Sequence, residues 1–599
     1  MNSENFKIIG VTRDIVSIEI IDSTEFDGQF NIGSYIKIPY NSEADKFIIG
    51  IIKNYKIKNL DSDDPEVEPN GNHFVIEVEL IGSYTKELVA GEAGQTAEKY
   101  IFERGSHGIP LPPNNGIEII SNTDYENIYS CRIPESGKFI FSSLVQNKDI
   151  RVPVNGNKFF NKHFAIVGST GSGKSHTVAT ILQQAVREKV TGYNGLNNSH
   201  IVIFDIHGEY KKAFPEATHI NSTNIKIPYW LFDSDELSDL FIESNEDNSH
   251  NQVSQFRFAV TENKKKEDLN RPEAERIDQD KIYFDSPLMF KIDEVIQYIK
   301  NINNEVIGKL EGDMGRPKKS GGALIDNRMD CYFSEEVSFC VSSTAKDTKA
   351  SNGPFNGDFE RFILRLETIR NNPRLKFIFN DADSVKLEDV LKQFLGYTTP
   401  NSNVTVIDLS GIPFEVLSIT VSLISRILFE YGYYYKKLLA GSIDCETPLL
   451  LVYEEAHKYV PRSDLAKYRS SKNAIERIAK EGRKYGVTLG IISQRPSEIS
   501  ETIFSQCNNF IAMRLTNPDD QNYVKRLLPD VIGDLTSYLP SLQSGEALMI
   551  GESIVLPSLI KIDFPGYEPN STDIKYLDIW KEKWKDDVEF QRITDEWKK

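Results

Sequence analysis

The stretch that most limits what this chain can fold into is Gly168-Ser169-Thr170-Gly171-Ser172-Gly173-Lys174-Ser175. It matches G-x-x-x-x-G-K-[ST] at every fixed position. The run before it, Phe164-Ala165-Ile166-Val167, is apolar and short enough for a buried strand. After it, Val178, Ile181, Leu182, Ala185 and Val186 recur at helical spacing, so a helix is predicted to begin near Gly173. In a strand–loop–helix of this kind, backbone N–H groups close around a polyphosphate and the helix N-terminus favours the anion. Lys174 is expected to reach the β- and γ-phosphates, and Ser175 to ligate Mg2+. The loop residues, with His176 after them, form the expected ATP-binding set, and hydrolysis is the expected reaction.

Composition sets the outer limits. At 599 residues the chain has room for two or more domains. Hydrophobic residues at 39% and charged residues at 26% are ordinary for a chain with buried cores. No run of about 18 apolar residues occurs, which argues against a membrane span. The first residues, Met1 to Lys7, lack the basic and apolar regions of a signal peptide. Cys131, Cys331, Cys340, Cys445 and Cys507 are scattered, with no C-x-x-C pair. Neither a zinc site nor a disulfide framework is expected, and a cytoplasmic setting is. The net charge of −19 argues against a protein that coats nucleic acid with its outer surface. A ring with basic residues only along its channel stays open, because net charge averages over the surface.

Along the chain, residues 1–120 read as β-rich. Short β-branched runs such as Ile15-Val16-Ser17-Ile18-Glu19-Ile20 and Phe74-Val75-Ile76-Glu77-Val78-Glu79-Leu80 alternate with polar, Gly, Pro and Asp stretches at 61–65 and 69–72. They suggest a small barrel or sandwich serving assembly or docking. Residues 121–232 hold a linker, entered past a stiff proline run at 109–113, and the first part of a nucleotide domain. From 233 to 400 the pattern becomes that of a helical insertion, with amphipathic helices marked by Ile292, Val295, Ile296 and Ile299 and by Phe359, Phe362, Ile363, Leu366 and Ile369. Its basic runs, Lys264-Lys265-Lys266 and the segment holding Arg316, Lys318 and Lys319, read as solvated loops, with nucleic-acid contact as the other reading. Residues 401–566 return to strands alternating with helices, as in a parallel α/β sheet. Residues 567–599 read as a charged helical tail whose Leu577, Ile579, Trp580 and Trp584 dock on a neighbouring subunit or on their own domain.

Polar groups stand at the ends of the apolar runs. Ile201-Val202-Ile203-Phe204 leads to Asp205 and, past His207, to Glu209. These acids hold Mg2+ through water or position the attacking water; the other reading is a solvated strand-end turn. Leu449-Leu450-Leu451-Val452-Tyr453 ends in Glu454-Glu455-Ala456-His457. An apolar strand ending in paired acids is what a second nucleotide motif requires. Glu454 is expected to orient Mg2+, at a position where Asp is usual, and Glu455 to activate the water that attacks the γ-phosphate. Val487-Thr488-Leu489-Gly490-Ile491-Ile492 ends in Ser493-Gln494-Arg495-Pro496, which places the Gln494 amide to sense the γ-phosphate or hold that water.

The ordered set carries a resemblance. His163 precedes the loop; then come Asp205-x-His207-Gly208-Glu209-Tyr210, the insertion, Glu454-Glu455-Ala456-His457, Ser493-Gln494-Arg495-Pro496 and Arg514-Leu515-Thr516-Asn517-Pro518-x-Asp520-Gln521. In these motifs and their order the chain resembles the HerA-type ATPases, relatives of the FtsK and conjugation-pump translocases. The resemblance implies an α/β fold with a RecA-like P-loop ATPase core, an N-terminal small β-barrel and a helical insertion. It implies a homo-hexamer with DNA threaded through the central channel and ATP between subunits. An arginine from one subunit would complete its neighbour's site. By position Arg483 is the first candidate to act in trans, an ordinary helix-end cation being its other reading. Lys162 is the second, where relatives often carry arginine with its planar fork. Arg514 is open between a structural role and one facing ATP. A NurA-like nuclease, or a defence effector such as a sirtuin-like NAD hydrolase, is the implied partner on the barrel face. Two functional classes follow: a DNA motor feeding a nuclease, or a nucleotide-regulated scaffold that controls an anti-phage effector.

Overall fold

The structure is a computed structural model, and it describes residues 6–12, 15–20, 32–40, 45–58, 73–90, 96–105, 117–242, 249–439, 446–463, 469–527, 535–571, 574–586 and 588–598. The predicted turn stretches at 61–65 and 69–72 and the proline run at 109–113 lie outside them.

The β-branched runs of the N-terminal region form one antiparallel sheet: β1 (Phe6–Val11), β2 (Ile15–Ile20), β3 (Tyr35–Pro39), β4 (Lys46–Lys58), β5 (His73–Ala90), β6 (Thr96–Arg104) and β7 (Glu118–Ile119). Among the described residues the strand order is β1-β2-β5-β4-β3-β7, with β6 on β5. Among the described residues the two ends of that path are not paired with each other, so the antiparallel sheet is present and its closure into a barrel is not seen there. Alternation gives the sheet two buried faces. Val16, Ile18, Ile36, Ile38, Ile48, Ile52, Ile76 and Val78 make a cluster of their own. Tyr35, Ile49, Ile51, Tyr84 and Phe102 join the large core of the rest of the chain. Polar bonds fix the same contact. The Tyr35 hydroxyl donates to the Pro557 carbonyl, and the Arg104 guanidinium donates to the carbonyls of Val555 at 2.6 Å and Ile554 at 2.9 Å.

A short helix, α1 (Asn122–Ser130), leads into the core: β8 (Lys138–Leu144), β9 (Arg151–Asn155), α2 (Gly156–Phe160), β10 (His163–Val167), α3 (Lys174–Arg187), β11 (His200–Asp205) and β12 (Thr218–Ile220). The insertion carries α4 (Ser234–Phe241), α5 (Ser249–Leu269), α6 (Ile292–Asn304), β13 (Val306–Gly308), β14 (Ala350–Asn352), α7 (Glu360–Arg370), α8 (Lys376–Phe379) and α9 (Leu387–Phe394). The core resumes with β15 (Val404–Asp408), α10 (Phe414–Leu438), β16 (Leu449–Tyr453), α11 (Arg469–Glu481), β17 (Val487–Ser493), α12 (Glu501–Gln506), β18 (Cys507–Met513), α13 (Pro518–Leu527), β19 (Glu546–Gly551) and β20 (Ser558–Ile562). Two short helices, α14 (Tyr576–Trp580) and α15 (Phe590–Lys598), form the tail.

The core strands make an eleven-stranded sheet ordered β12-β15-β11-β16-β17-β10-β18-β19-β20-β8-β9. From β12 to β18 the neighbours run parallel. The last five strands pair antiparallel. Every residue of β10, β16 and β17 is buried, as continuous apolar strands covered on both faces must be. The phosphate-loop strand β10 lies between β17 and β18. Gln494 and Arg514, which follow those strands, therefore flank the loop at the carboxyl edge, where open α/β sheets bind ligands. The helix α10 is apolar enough over Val416–Leu438 to pass as a membrane span by composition, but 78% of its apolar window is buried inside the fold. It is the core helix on which α4 and α11 pack.

One reading of the insertion changes: the run Lys264-Lys265-Lys266, read as a solvated loop, lies in α5. Ahead of it α4 starts with a capping box in which Asp233 and Glu236 satisfy each other's backbone N–H. Lys264 is fully buried rather than solvated. Its ammonium donates to the carbonyls of Phe284 and Ser286, the latter at 2.7 Å, and lies over the rings of Phe284 and Phe290. Burial pulls its pKa down to about 7. The other basic residues there are ion-paired: Lys265 with Glu262, Lys266 with Glu294, Arg316 with Asp326, Lys318 with Asp313 and Lys319 with Glu335. The tail aromatics do not dock on their own domain: Trp580 is 74% and Trp584 90% exposed.

Candidate functional site

The loop is bound to both neighbouring strand ends. Gly168 N–H donates to the Ser493 carbonyl at 3.2 Å and Ser169 N–H to the Arg514 carbonyl at 2.7 Å. Thr516 N–H reaches Ser169 Oγ at 3.1 Å. Gly173, where α3 begins, has φ +101°, a conformation that side-chain-bearing residues rarely adopt. At Gly168 a Cβ would stand 2.6 Å from Ser172 Oγ and 2.9 Å from Met513 Cβ. The glycines at these two positions are thus required by conformation and by close approach. Lys174 is buried, with its ammonium 3.4 Å from the Ser169 carbonyl. Burial lowers its pKa, and Glu455, Glu454 and Glu209 oppose that shift. His176 is half-buried one residue beyond Ser175.

The acids divide into distinct roles. Asp205 is fully buried and accepts four backbone N–H groups: His207 at 3.2 Å, Gly208 at 2.8 Å, Glu209 at 3.2 Å and Tyr210 at 2.9 Å. These bonds fold the strand-end turn around Asp205, which is buried rather than solvated. That turn aims Glu209, whose Oε2 accepts the Ser175 hydroxyl at 2.7 Å. Glu454 is buried, and burial, with Asp205 and Glu209 beside it, raises its pKa well above the usual carboxylate range.

Glu455 adopts the left-handed backbone (φ 48°, ψ 47°) although it is not glycine. Such residues cluster at functional sites. Its Oε1 accepts from Gln494 Nε2 at 2.5 Å. The Gln494 carbonyl oxygen in turn accepts from Thr170 Oγ1 at 2.7 Å. A continuous path therefore joins the loop, the β17 amide and the β16 acid. His457 Nδ1 lies 3.2 Å from Glu455 Oε2, off the line of a hydrogen bond, and 3.2 Å from Ser493 Oγ. Oε2 of Glu455 and Oε2 of Glu454 are both buried without a hydrogen-bond partner.

This donor set suits a hydrated Mg2+. Magnesium keeps several waters and takes one or two protein oxygens beside substrate phosphates. The Ser175 hydroxyl and the unpartnered carboxylate oxygens would supply those, and a cation would offset the negative charge that adds to burial in raising Glu454. Among the described residues no group of three or more His, Cys, Asp or Glu side chains could cage a metal. Any cation there would thus depend on water and phosphate for the rest of its shell.

The three cations expected near ATP lie apart. Arg514 is beside its own loop: a Cβ on Gly171 would come within 3.8 Å of its Nη2, and its Nε is buried without a partner. Lys162 precedes β10, at the opposite end of the strand from the loop, and pairs with Glu552 at 2.7 Å. Arg483 is exposed on the turn after α11, near enough to His163 to help depress that imidazole's pKa. His163 starts β10, so Arg483 also stands at the strand's far end. Neither Lys162 nor Arg483 is brought to the loop of its own chain. Sequence reasoning assigned no part to Thr170 Oγ1 or His457; the only signal for His457 was its place two residues after the second acid.

A parallel α/β sheet with this loop, paired acids and a strand-end amide defines a P-loop ATPase. Residues 139–428 match the family model described as the central domain of helicase HerA. A probable helicase of Methanocaldococcus jannaschii is 24% identical over 607 aligned positions, covering 98% of this chain and 96% of its own. The DNA double-strand break repair helicase HerA of Pyrococcus furiosus is 24% identical, covering 93% of this chain and 92% of its own. Among solved structures, the bacterial conjugative coupling protein TrwB covers 76% of this chain and 95% of its own at 12% identity, with a TM-score of 0.42. Over that central domain and most of its length the chain is similar to the HerA helicases, and it is an ATP-hydrolysing enzyme.

Proposed function

We propose that this chain is the motor subunit of a homo-hexameric ring that draws duplex DNA through its channel, with ATP between subunits. A partner nuclease or anti-phage effector would sit against the N-terminal sheet, in the cytoplasm and away from membranes. One observation carries the reading. Thr170, Gln494 and Glu455 assemble within one chain, while Arg483 and Lys162 lie at the far end of β10. Arg514 stands beside the loop of its own chain, but the two cations expected to act in trans do not, which suits their completing a neighbour's site.

In this reading Lys174 holds the β- and γ-phosphates, and Ser175 with Glu454 holds Mg2+, directly or through water. The metal would neutralise phosphate charge. Glu455 takes the proton of the attacking water, Gln494 reports the γ-phosphate, and Arg483 of the next subunit stabilises charge in the transition state. Asp205 and Glu209 shape the turn and hold Ser175.

A second reading, the nucleotide-regulated scaffold, is favoured by the insertion. The basic residues of its two runs, Lys264 to Lys266 and Arg316 to Lys319, are buried or ion-paired. The test is the ATPase rate of the full chain with and without linear duplex DNA, beside Glu455→Ala. Stimulation by DNA that is lost in the variant supports the motor. Indifference to DNA, with a response to a co-purified partner, supports the scaffold.

A further inference from the structure

Glu455 has one oxygen committed and one not. Gln494 donates to Oε1, while Oε2 is buried without an aligned donor. A carboxylate acting as a base must present one lone pair to water and keep the rest of the group still. The residue that faces Oε2 is His457. The left-handed backbone at Glu455 turns the chain so sharply that Lys458 N–H reaches the Glu455 carbonyl at 2.8 Å. That turn folds the His457 ring back, with Nδ1 3.2 Å from Oε2 and 3.2 Å from Ser493 Oγ. Ser493 Oγ already accepts the Arg495 N–H at 3.0 Å, which orients it on the other side of the ring nitrogen.

A neutral imidazole carries either a proton or a lone pair at Nδ1. Facing a carboxylate, the lone pair would repel and the proton attracts, so the Nδ1–H tautomer is the one the site favours. We infer that His457 is a positioning residue for Glu455: its Nδ1–H, donated to Ser493 Oγ, faces Oε2 at 3.2 Å and steadies it electrostatically while Gln494 holds Oε1, which leaves the carboxylate aimed at the attacking water. Through Ser493 the same ring ties the end of β16 to the end of β17, so base and amide move as one unit. Of the charged groups around the ring, Glu498 and Arg495 are exposed and Lys458 is half-buried, whereas Glu455 is buried. The inference rests on Glu455 as the base.

The test compares His457→Asn, His457→Leu and His457→Asp in the full chain, reading kcat and KM for ATP separately. Asparagine places an N–H donor close to where Nδ1 stands; leucine and aspartate do not. Leucine and aspartate are expected to lower kcat roughly ten-fold or more, a part of what a general base contributes, with KM within about two-fold. Asparagine is expected to recover most of the rate. Should the leucine variant not fold, asparagine against the isosteric aspartate carries the comparison. Equal loss in asparagine and aspartate, or a rise in KM with kcat intact, overturns the inference. Full activity in Glu455→Ala overturns it together with the base assignment, whereas a dead Glu455→Ala beside three fully active His457 variants overturns the inference alone.

Discussion

Thr170 Oγ1 donates to Gln494 Oε1 at 2.7 Å, so the tip of the phosphate loop is hydrogen-bonded to the amide that holds Glu455. The amide has one acceptor and two donors, and both its ends are engaged. Under the proposed function a γ-phosphate arriving at the loop tip would compete for these bonds, and the amide would report nucleotide state. Gln494→Ala is expected to lower kcat by roughly 10²-fold, the scale of losing a positioned hydrogen bond in the transition state. ATP affinity, measured by equilibrium titration, should change little, because the loop and Lys174 remain. Thr170→Val should cost only a few-fold, since it frees Gln494 without removing it. A large loss of ATP affinity in Gln494→Ala would show that the amide serves binding rather than turnover.

Glu455 offers a stability test separate from its chemistry. Its backbone is left-handed, a conformation that costs a side-chain-bearing residue about 1–2 kcal/mol and glycine almost nothing. Glycine gives back part of that through a freer unfolded chain. Glu455→Gly and Glu455→Ala should both lose hydrolysis, yet the glycine variant should be the more stable by roughly 0.5–1 kcal/mol. Thermal midpoints measured side by side would check this. An alanine variant that melts higher would mean the turn relaxes once the glutamate is removed.

His163 makes the fold sensitive to acid. Its Nε2 bonds the Ala479 carbonyl at 2.9 Å and its Nδ1 accepts the Leu489 N–H at 3.0 Å, tying β10 to α11 and β17. Burial above all, with Arg483 adding to it, lowers its pKa from 6.5 to about 4. The unfolded chain therefore takes up a proton near pH 6.5 and the folded chain only near 4. Stability is fully present above pH 6.5 and falls as pH drops toward 4, by roughly 3 kcal/mol at most from this residue. His163→Gln, which cannot titrate, should show a smaller drop in melting temperature between pH 7.5 and pH 5. Some slope should persist, because burial also lowers the pKa of His200 and His219. Equal slopes would mean that His163 is not the source.

These residues also show what the sequence made legible. The loop, its strand and its helix could be read because buried parallel strands are continuously apolar and the glycine pattern has one mechanical purpose. The paired acids and the amide could be placed for the same reason: each ends an apolar run. The contacts among them could not. The distance from His457 to Glu455 depends on a left-handed residue that no pattern announces. Lys264 read as solvated because a run of lysines ordinarily is; its burial depends on carbonyls of Phe284 and Ser286 some twenty residues on. The antiparallel side of the sheet, where β8 joins β20 across more than four hundred residues, is set by long-range pairing that local periodicity does not encode.

The position of Arg483 gives the sharpest test of a shared site. If it acts on the neighbouring subunit, Glu455→Ala and Arg483→Ala each kill every interface in a uniform ring. Mixed, they do not. An interface works when a subunit with intact Glu455 meets a neighbour with intact Arg483, which random assembly from equal amounts of the two variants produces at about a quarter of interfaces in a head-to-tail ring. Co-assembled variants should therefore recover up to about that fraction of the full ATPase rate, if interfaces fire independently. Mixing after assembly, without subunit exchange, should recover none. No recovery in co-assembled rings of confirmed mixed composition would place Arg483 outside the neighbour's site. Lys162→Ala in the same scheme would then be the next candidate, although its pairing with Glu552 holds it within its own chain.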